Sequence, residues 1–116
     1  MLFRSGYPER LKASFPRFDF LQYPSLTFEK PDTSSFRNLA LAIDAMQRGG
    51  NSPCVINAAN EVAVDAFLKD RIGFLEMTYL IEDCLQRIAF VEHPSLEDYI
   101  ETDRETRAVA EKRATA

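Results

Sequence analysis

The sequence predicts an all-α fold: a small helical bundle of four to five helices preceded by an extended Pro/Phe-rich arm. Three observations carry that prediction. Pro8, Pro16, Pro24 and Pro31 break up the start of the chain, and no helix of normal length fits between them. From Asp32 onward, apolar residues recur at helical spacing. Polar turns containing Gly or Pro punctuate that pattern, and short connections favour antiparallel neighbours in a bundle. Residues 1–31 are therefore read as an extended connector arm and residues 32–116 as a helical bundle domain.

The arm carries Phe15, Phe18, Phe20, Leu21, Tyr23, Leu26 and Phe28 without a helical period. Leu26-Thr27-Phe28 permits at most a short strand. Such a segment cannot bury itself and needs a surface to lie on, since large exposed apolar patches mark contact sites. Phe18 and Phe28 are accordingly expected to be less buried than Ile43 or Ile56.

The first helix follows the cap candidates Asp32, Thr33, Ser34 and Ser35. Phe36, Leu39, Ala40, Ile43 and Met46 form its expected buried stripe. Gly49-Gly50-Asn51 ends it. A second helix starts near Pro53, suited to the first turn, and runs to about Lys69 with Ile56, Ala59, Ala63, Ala66 and Phe67 on one face. A third, weakly capped at Leu75, covers about Leu75 to Ala89 and buries Met77, Leu80, Ile81, Cys84, Leu85 and Ile88. After His93-Pro94, Ser95 with Asp98 caps a short helix holding Leu96, Tyr99 and Ile100. Thr102-Asp103 then opens a last, mostly polar helix through Lys112 that is expected to fray.

Composition excludes several classes of function. At 116 residues the chain is one domain's worth, and 46% hydrophobic with 28% charged residues is globular composition. A net charge of −4 argues against nucleic acid and against an anionic membrane as partner, because both select a basic face. No apolar stretch reaches bilayer-spanning length, and Met1 to Gly6 make a poor signal peptide. Cys54 and Cys84 both fall within helical stretches. They read as small buried residues in a reducing, cytoplasmic compartment, with a bridge between them left open.

No catalytic, cofactor-binding or metal-binding residue stands out. The four glycines form neither a dinucleotide-binding turn nor a phosphate loop. One His and two distant Cys cannot build a zinc site. His93 could act as an acid or base, but before Pro94 it reads as a solvent-facing turn residue. The adjacent acids Glu82-Asp83 and Glu97-Asp98 could in principle hold a divalent cation. On a helix, however, neighbours point about 100° apart, so they read as solvated faces. Glu101, Asp103, Arg104, Glu105 and Arg107 read as locally paired surface charge. The most distinctive stretch is Asn57-Ala58-Ala59-Asn60-Glu61. Asn is a mediocre helix residue, so this string is either an amide pair contacting a ligand or a structural motif. In the second reading Asn57, Asn60 and Glu61 bond backbone groups or tie down the preceding Gly-rich loop.

The run Val55-Ile56-Asn57-Ala58-Ala59-Asn60-Glu61-Val62-Ala63-Val64, followed by Phe67-Leu68 and Ile72-Gly73-Phe74, resembles the C-terminal region of 1-deoxy-D-xylulose 5-phosphate reductoisomerases. Tyr7-Pro8, Leu26-Thr27-Phe28, Pro31-Asp32, Leu39-Ala40-Leu41-Ala42 and Gly49-Gly50 fall at that family's spacing. The resemblance runs from residue 7 to about 113. It implies an NADPH-dependent parent enzyme, using Mg²⁺ or Mn²⁺, that makes 2-C-methyl-D-erythritol 4-phosphate in non-mevalonate isoprenoid biosynthesis. It further implies a homodimer whose cofactor, metal and substrate residues lie in domains preceding this one. This chain is then expected to be a truncated form, inactive alone, with no cofactor of its own. Its missing catalytic domain would dock through residues 7–31, and Asn57, Asn60 and Glu61 would be architectural. Three departures stand out: Arg37 where proline is common, Leu75 in place of a cap, and Met1 to Gly6, expected to be non-native to the family pattern. The rival reading is a free-standing helical protein-interaction module. The DNA upstream of the chain separates the two, and want of a convergent acid, base or metal cluster disfavours a stand-alone enzyme.

Overall fold

The computed structural model describes residues 6–115, and the expectation for residues 1–5 lies outside them. Two compact units make up the chain, one ending at Lys30 and the other beginning at Pro31.

In the first unit, residues 10–19 and 24–30 are extended, and the strand allowed at Leu26 to Phe28 does not form. The arm bends twice, first where the Glu9 amide donates to the Gly6 carbonyl at 2.8 Å and again after Asp19. The Asp19 carboxylate accepts the Leu21 amide at 2.9 Å, and the Asp19 carbonyl accepts the Tyr23 amide at 3.0 Å. This Asx-type turn brings the Phe18 ring edge-on to Phe20, with centroids 4.8 Å apart, and 5.7 Å from Tyr23. The aromatic cluster stays exposed: Phe18 is 55% accessible and Phe28 is 92%, both more than Ile43 at 37%.

The second unit holds four helices: α1 (Arg37–Arg48), α2 (Ser52–Leu68), α3 (Phe74–Arg87) and α4 (Leu96–Ala114). α2 lies at the centre, packed most extensively against α3 and α4, with α1 along its other side. The core is built from Val55, Ala59, Val62, Ala63 and Ala66 of α2, Met77, Leu80, Ile81 and Cys84 of α3, and Ala110 and Ala114 of α4. Alanines at the α2 contact let the neighbouring backbones approach closely, so a short chain reaches a continuous core.

The sequence reading of α3 holds, since Met77, Leu80, Ile81 and Cys84 are buried and Leu85 and Ile88 pack against them. Its N-cap is Gly73, without a side-chain cap bond. Neither cysteine forms a bridge: Cys84 is a buried free thiol, and Cys54 a half-buried one. Burial pushes the Cys84 thiol up to about 11.

Three expectations are corrected. The cap candidates before α1 do not cap it; Asp32 instead accepts the Ser34 and Ser35 amides and the Ser35 hydroxyl. The helix begins at Arg37 behind Phe36, which makes no side-chain cap bond. The large residues of the stripe assigned to the core face away from it, with Phe36 67%, Leu39 39%, Ile43 37% and Met46 69% accessible, and only Ala40 is half-buried. Ala45 is buried and Leu41 packs on the core instead. Residues two apart on a helix lie on nearly opposite sides, so Ile43 cannot share the face of Ala45 or Leu41. Finally, the two short C-terminal helices are one. The Ser95–Asp98 capping box forms in both directions, and the helix runs through Thr102-Asp103 to Ala114 without a break. Its inward stripe is Thr102, Thr106, Ala110 and Ala114, an i, i+4 series of small residues that looks like surface in sequence.

Candidate docking surface

Behind the surface, one buried asparagine holds the helix ends together. Gly49 and Gly50 both take positive φ, +70° and +57°. A Cβ at Gly50 would collide with the Val91 carbonyl and the Phe90 ring. That close approach places Asn51, 1% accessible, against the α3–α4 connection. Its Nδ2 donates to the Ala89 carbonyl at 2.9 Å and the Thr102 hydroxyl at 3.2 Å, and its Oδ1 accepts the Val91 amide at 2.9 Å. The Asn51 amide also donates to the Val91 carbonyl at 3.0 Å. Every polar atom of the side chain is thus used internally. Sequence reading took Asn51 only as part of a helix stop; its partners lie 38 to 51 residues away, and nothing local announces them.

The singled-out string sits elsewhere. Asn57, Asn60 and Glu61 all lie on the exposed side of α2. Glu61 pairs with Arg107 of α4 at 2.6 Å, and Arg107 reaches Asp103 at 2.9 Å. Hydrogen bonds to Asp103 and then Glu61 push the Arg107 guanidinium above its already high value. Asn57 and Asn60 are not part of this network. They line a shallow groove with Ala42, Met46, Pro53 and Ile56.

Glu82 and Asp83 are not the solvated face expected, their side chains being only 20% and 24% accessible. Glu82 pairs with Arg37, Asp83 with Arg87 at 2.9 Å, and Asp98 closes the Ser95 capping box. Thr78 donates to Asn38 at 2.7 Å, a second tie between α3 and α1. The His93 side chain is 92% exposed. Among the described residues, no three His, Cys, Asp or Glu side chains gather where a metal ion could be held. No helix among them is long and apolar enough to cross a membrane.

What remains is apolar surface. Phe36 shares a groove of about 510 Å³ with Phe74, Leu75 and Tyr79, all more than half accessible. Leu39 and Ile43 continue from Phe36 along α1 to Met46, which borders the Asn57–Asn60 groove. Contiguous apolar surface on a small domain marks a contact site. The class so defined is a small helical bundle domain with an uncovered apolar face on α1.

The chain belongs to the DXP reductoisomerase C-terminal domain family, whose pattern matches residues 5–109. It is 58% identical over 105 residues to the 1-deoxy-D-xylulose 5-phosphate reductoisomerase of Phocaeicola vulgatus, covering 90% of this chain and 28% of the relative. The Bacteroides thetaiotaomicron enzyme of the same name is likewise 58% identical, with 27% of its length covered. Among solved structures, the Zymomonas mobilis reductoisomerase in complex with NADPH superposes with a TM-score of 0.76 at 37% identity, over 95% of this chain and 29% of that one. A second reductoisomerase, in complex with NADPH, fosmidomycin and magnesium, gives 0.76 at 30% identity. The chain thus spans little more than a quarter of the length of the curated relatives it matches.

Proposed function

We propose that this chain serves as the C-terminal supporting domain of a reductoisomerase that converts 1-deoxy-D-xylulose 5-phosphate to 2-C-methyl-D-erythritol 4-phosphate with NADPH and a divalent metal. The observation that carries this reading is the extent of the match, 90% of this chain against 28% of the Phocaeicola vulgatus enzyme. The residues of this chain fit neither cofactor. Its four glycines form no dinucleotide-binding turn, and no acidic group converges on a metal position among the described residues. Hydride transfer and metal binding therefore belong to the rest of such an enzyme, and this domain holds that remainder in its working shape. Residues 7–31, without helix or strand and rich in exposed aromatics, are the connector that lies along the catalytic domain. The assembled enzyme is a cytoplasmic homodimer.

The test mixes the purified chain with a Phocaeicola vulgatus reductoisomerase from which the matched C-terminal part has been deleted. Binding together with recovered NADPH oxidation is the expected result. Absence of both, with each component folded by circular dichroism, would favour a free-standing interaction module.

A further inference from the structure

Resting on that reading, we infer that the bundle carries a docking face of its own: Phe36 with the α1 residues Leu39, Ile43 and Met46, closed at one end by the amides of Asn57 and Asn60. Its occupant is an apolar flank of the reductoisomerase catalytic region, the part of the relatives that this chain does not match.

Three observations converge. α1 is apolar on two opposite sides, and the bundle uses only one of them, through Leu41 and Ala45. The opposite side stays accessible, Leu39 and Ile43 by 39% and 37% and Phe36 and Met46 by 67% and 69%, and an apolar face left open in this way is suited to a further neighbour. The band is also continuous. Phe36 borders the groove shared with Phe74 and Leu75, Met46 borders the groove shared with Asn57 and Asn60, and Leu39 and Ile43 lie between. Lastly, the matched relatives carry more than two further lengths of chain beyond the matched part, which covers 28% of them. A body of that size is available to cover the band, as no second copy of so small a domain need be.

The asparagines gain a role from this placement. Asn57 and Asn60 stand one helical turn apart on an exposed side, at the edge of an apolar groove. Each carboxamide offers donors and an acceptor, a match for backbone N–H and C=O groups of a segment lying in the groove. An aliphatic residue there would bind without fixing register. The amides set it.

The experiment measures binding of the full chain to the C-terminally deleted Phocaeicola vulgatus enzyme by titration calorimetry, together with melting temperature. Ile43→Glu is expected to weaken binding at least tenfold, and N57A/N60A by several-fold, both with melting unchanged within about 2 °C. Arg104→Glu, on the exposed side of α4, is the control and binds as the unaltered chain does. If the unaltered chain binds and Ile43→Glu binds equally well, this inference fails while the proposed function stands. If the unaltered chain does not bind, both fail. A lowered melting temperature in N57A/N60A with binding retained would assign the amides to the fold and overturn their recognition role. Self-association of the free chain that Ile43→Glu abolishes, with binding to the deleted enzyme unaffected, would make the occupant a second copy and overturn the inference.

Discussion

Replacing Asn51 with alanine removes the one side chain that joins the α1–α2 turn, the α3–α4 connection and the body of α4. Three hydrogen bonds are lost, to Ala89, Val91 and Thr102, at about 1 kcal/mol each in net terms. The Thr102 hydroxyl, on a residue only 5% accessible, is left facing a cavity. An unsatisfied buried group costs about 1–3 kcal/mol, and a water entering the cavity recovers part of that. The expected loss is therefore about 3 kcal/mol, against a total of roughly 4–13 kcal/mol for a bundle of this size. Urea unfolding followed by far-UV circular dichroism should show a lower midpoint with an unchanged slope. Hydrogen exchange at the Val91 amide should accelerate in the same variant. Asn60→Ala is the internal comparison: its side chain is exposed, and less than about 0.5 kcal/mol should be lost. An Asn51→Ala loss below about 1 kcal/mol, or one no larger than that of Asn60→Ala, would refute the reasoning.

Other perturbations separate the faces of the bundle. Ile81→Ala, at a site 2% accessible, should cost about 2–5 kcal/mol by urea unfolding, whereas Ile43→Ala, at 37%, should cost less than about 1 kcal/mol. Gly50→Ala should destabilise by more than about 1 kcal/mol, since its φ is +57° and the added methyl meets the Val91 carbonyl; an unchanged urea midpoint would show that the turn relaxes freely. Cys84 holds its proton to about 11 in the folded state against 9.0 for an ordinary thiol, chiefly through burial. Its contribution is therefore complete below pH 9 and declines as pH rises towards 11, by roughly 3 kcal/mol at most. Cys84→Ala should lack that share of the alkaline loss, seen by comparing urea midpoints of the two proteins across this range.

The buried face of α3 could be read from the sequence, because Met77, Leu80, Ile81, Cys84, Leu85 and Ile88 recur at helical spacing and all meet the core. α1 misled because both of its sides are apolar: Leu41 and Ala45 meet the core, while the larger Phe36, Ile43 and Met46 do not. Size and spacing alone favour the wrong side when the smaller residues are the ones that meet the core. α4 misled for the opposite reason. Its buried series, Thr102, Thr106, Ala110 and Ala114, is small and half polar, and Thr102-Asp103 imitates a helix start. The conspicuous asparagines, Asn57 and Asn60, proved exposed, and the buried one was Asn51, whose partners are remote in sequence. Helical periodicity reports which residues share a face. It does not report what that face meets.

A chimera tests the central claim most directly. The matched C-terminal part of the Phocaeicola vulgatus reductoisomerase would be exchanged for residues 7–113 of this chain, and substrate-dependent NADPH oxidation measured at saturation. Turnover within about tenfold of the parent is the result expected if the exchanged domain supplies support and no reacting group; a tenfold change corresponds to about 1.4 kcal/mol of transition-state stabilisation. A chimera that folds and binds NADPH, yet is no more active than the deleted enzyme, would contradict the account.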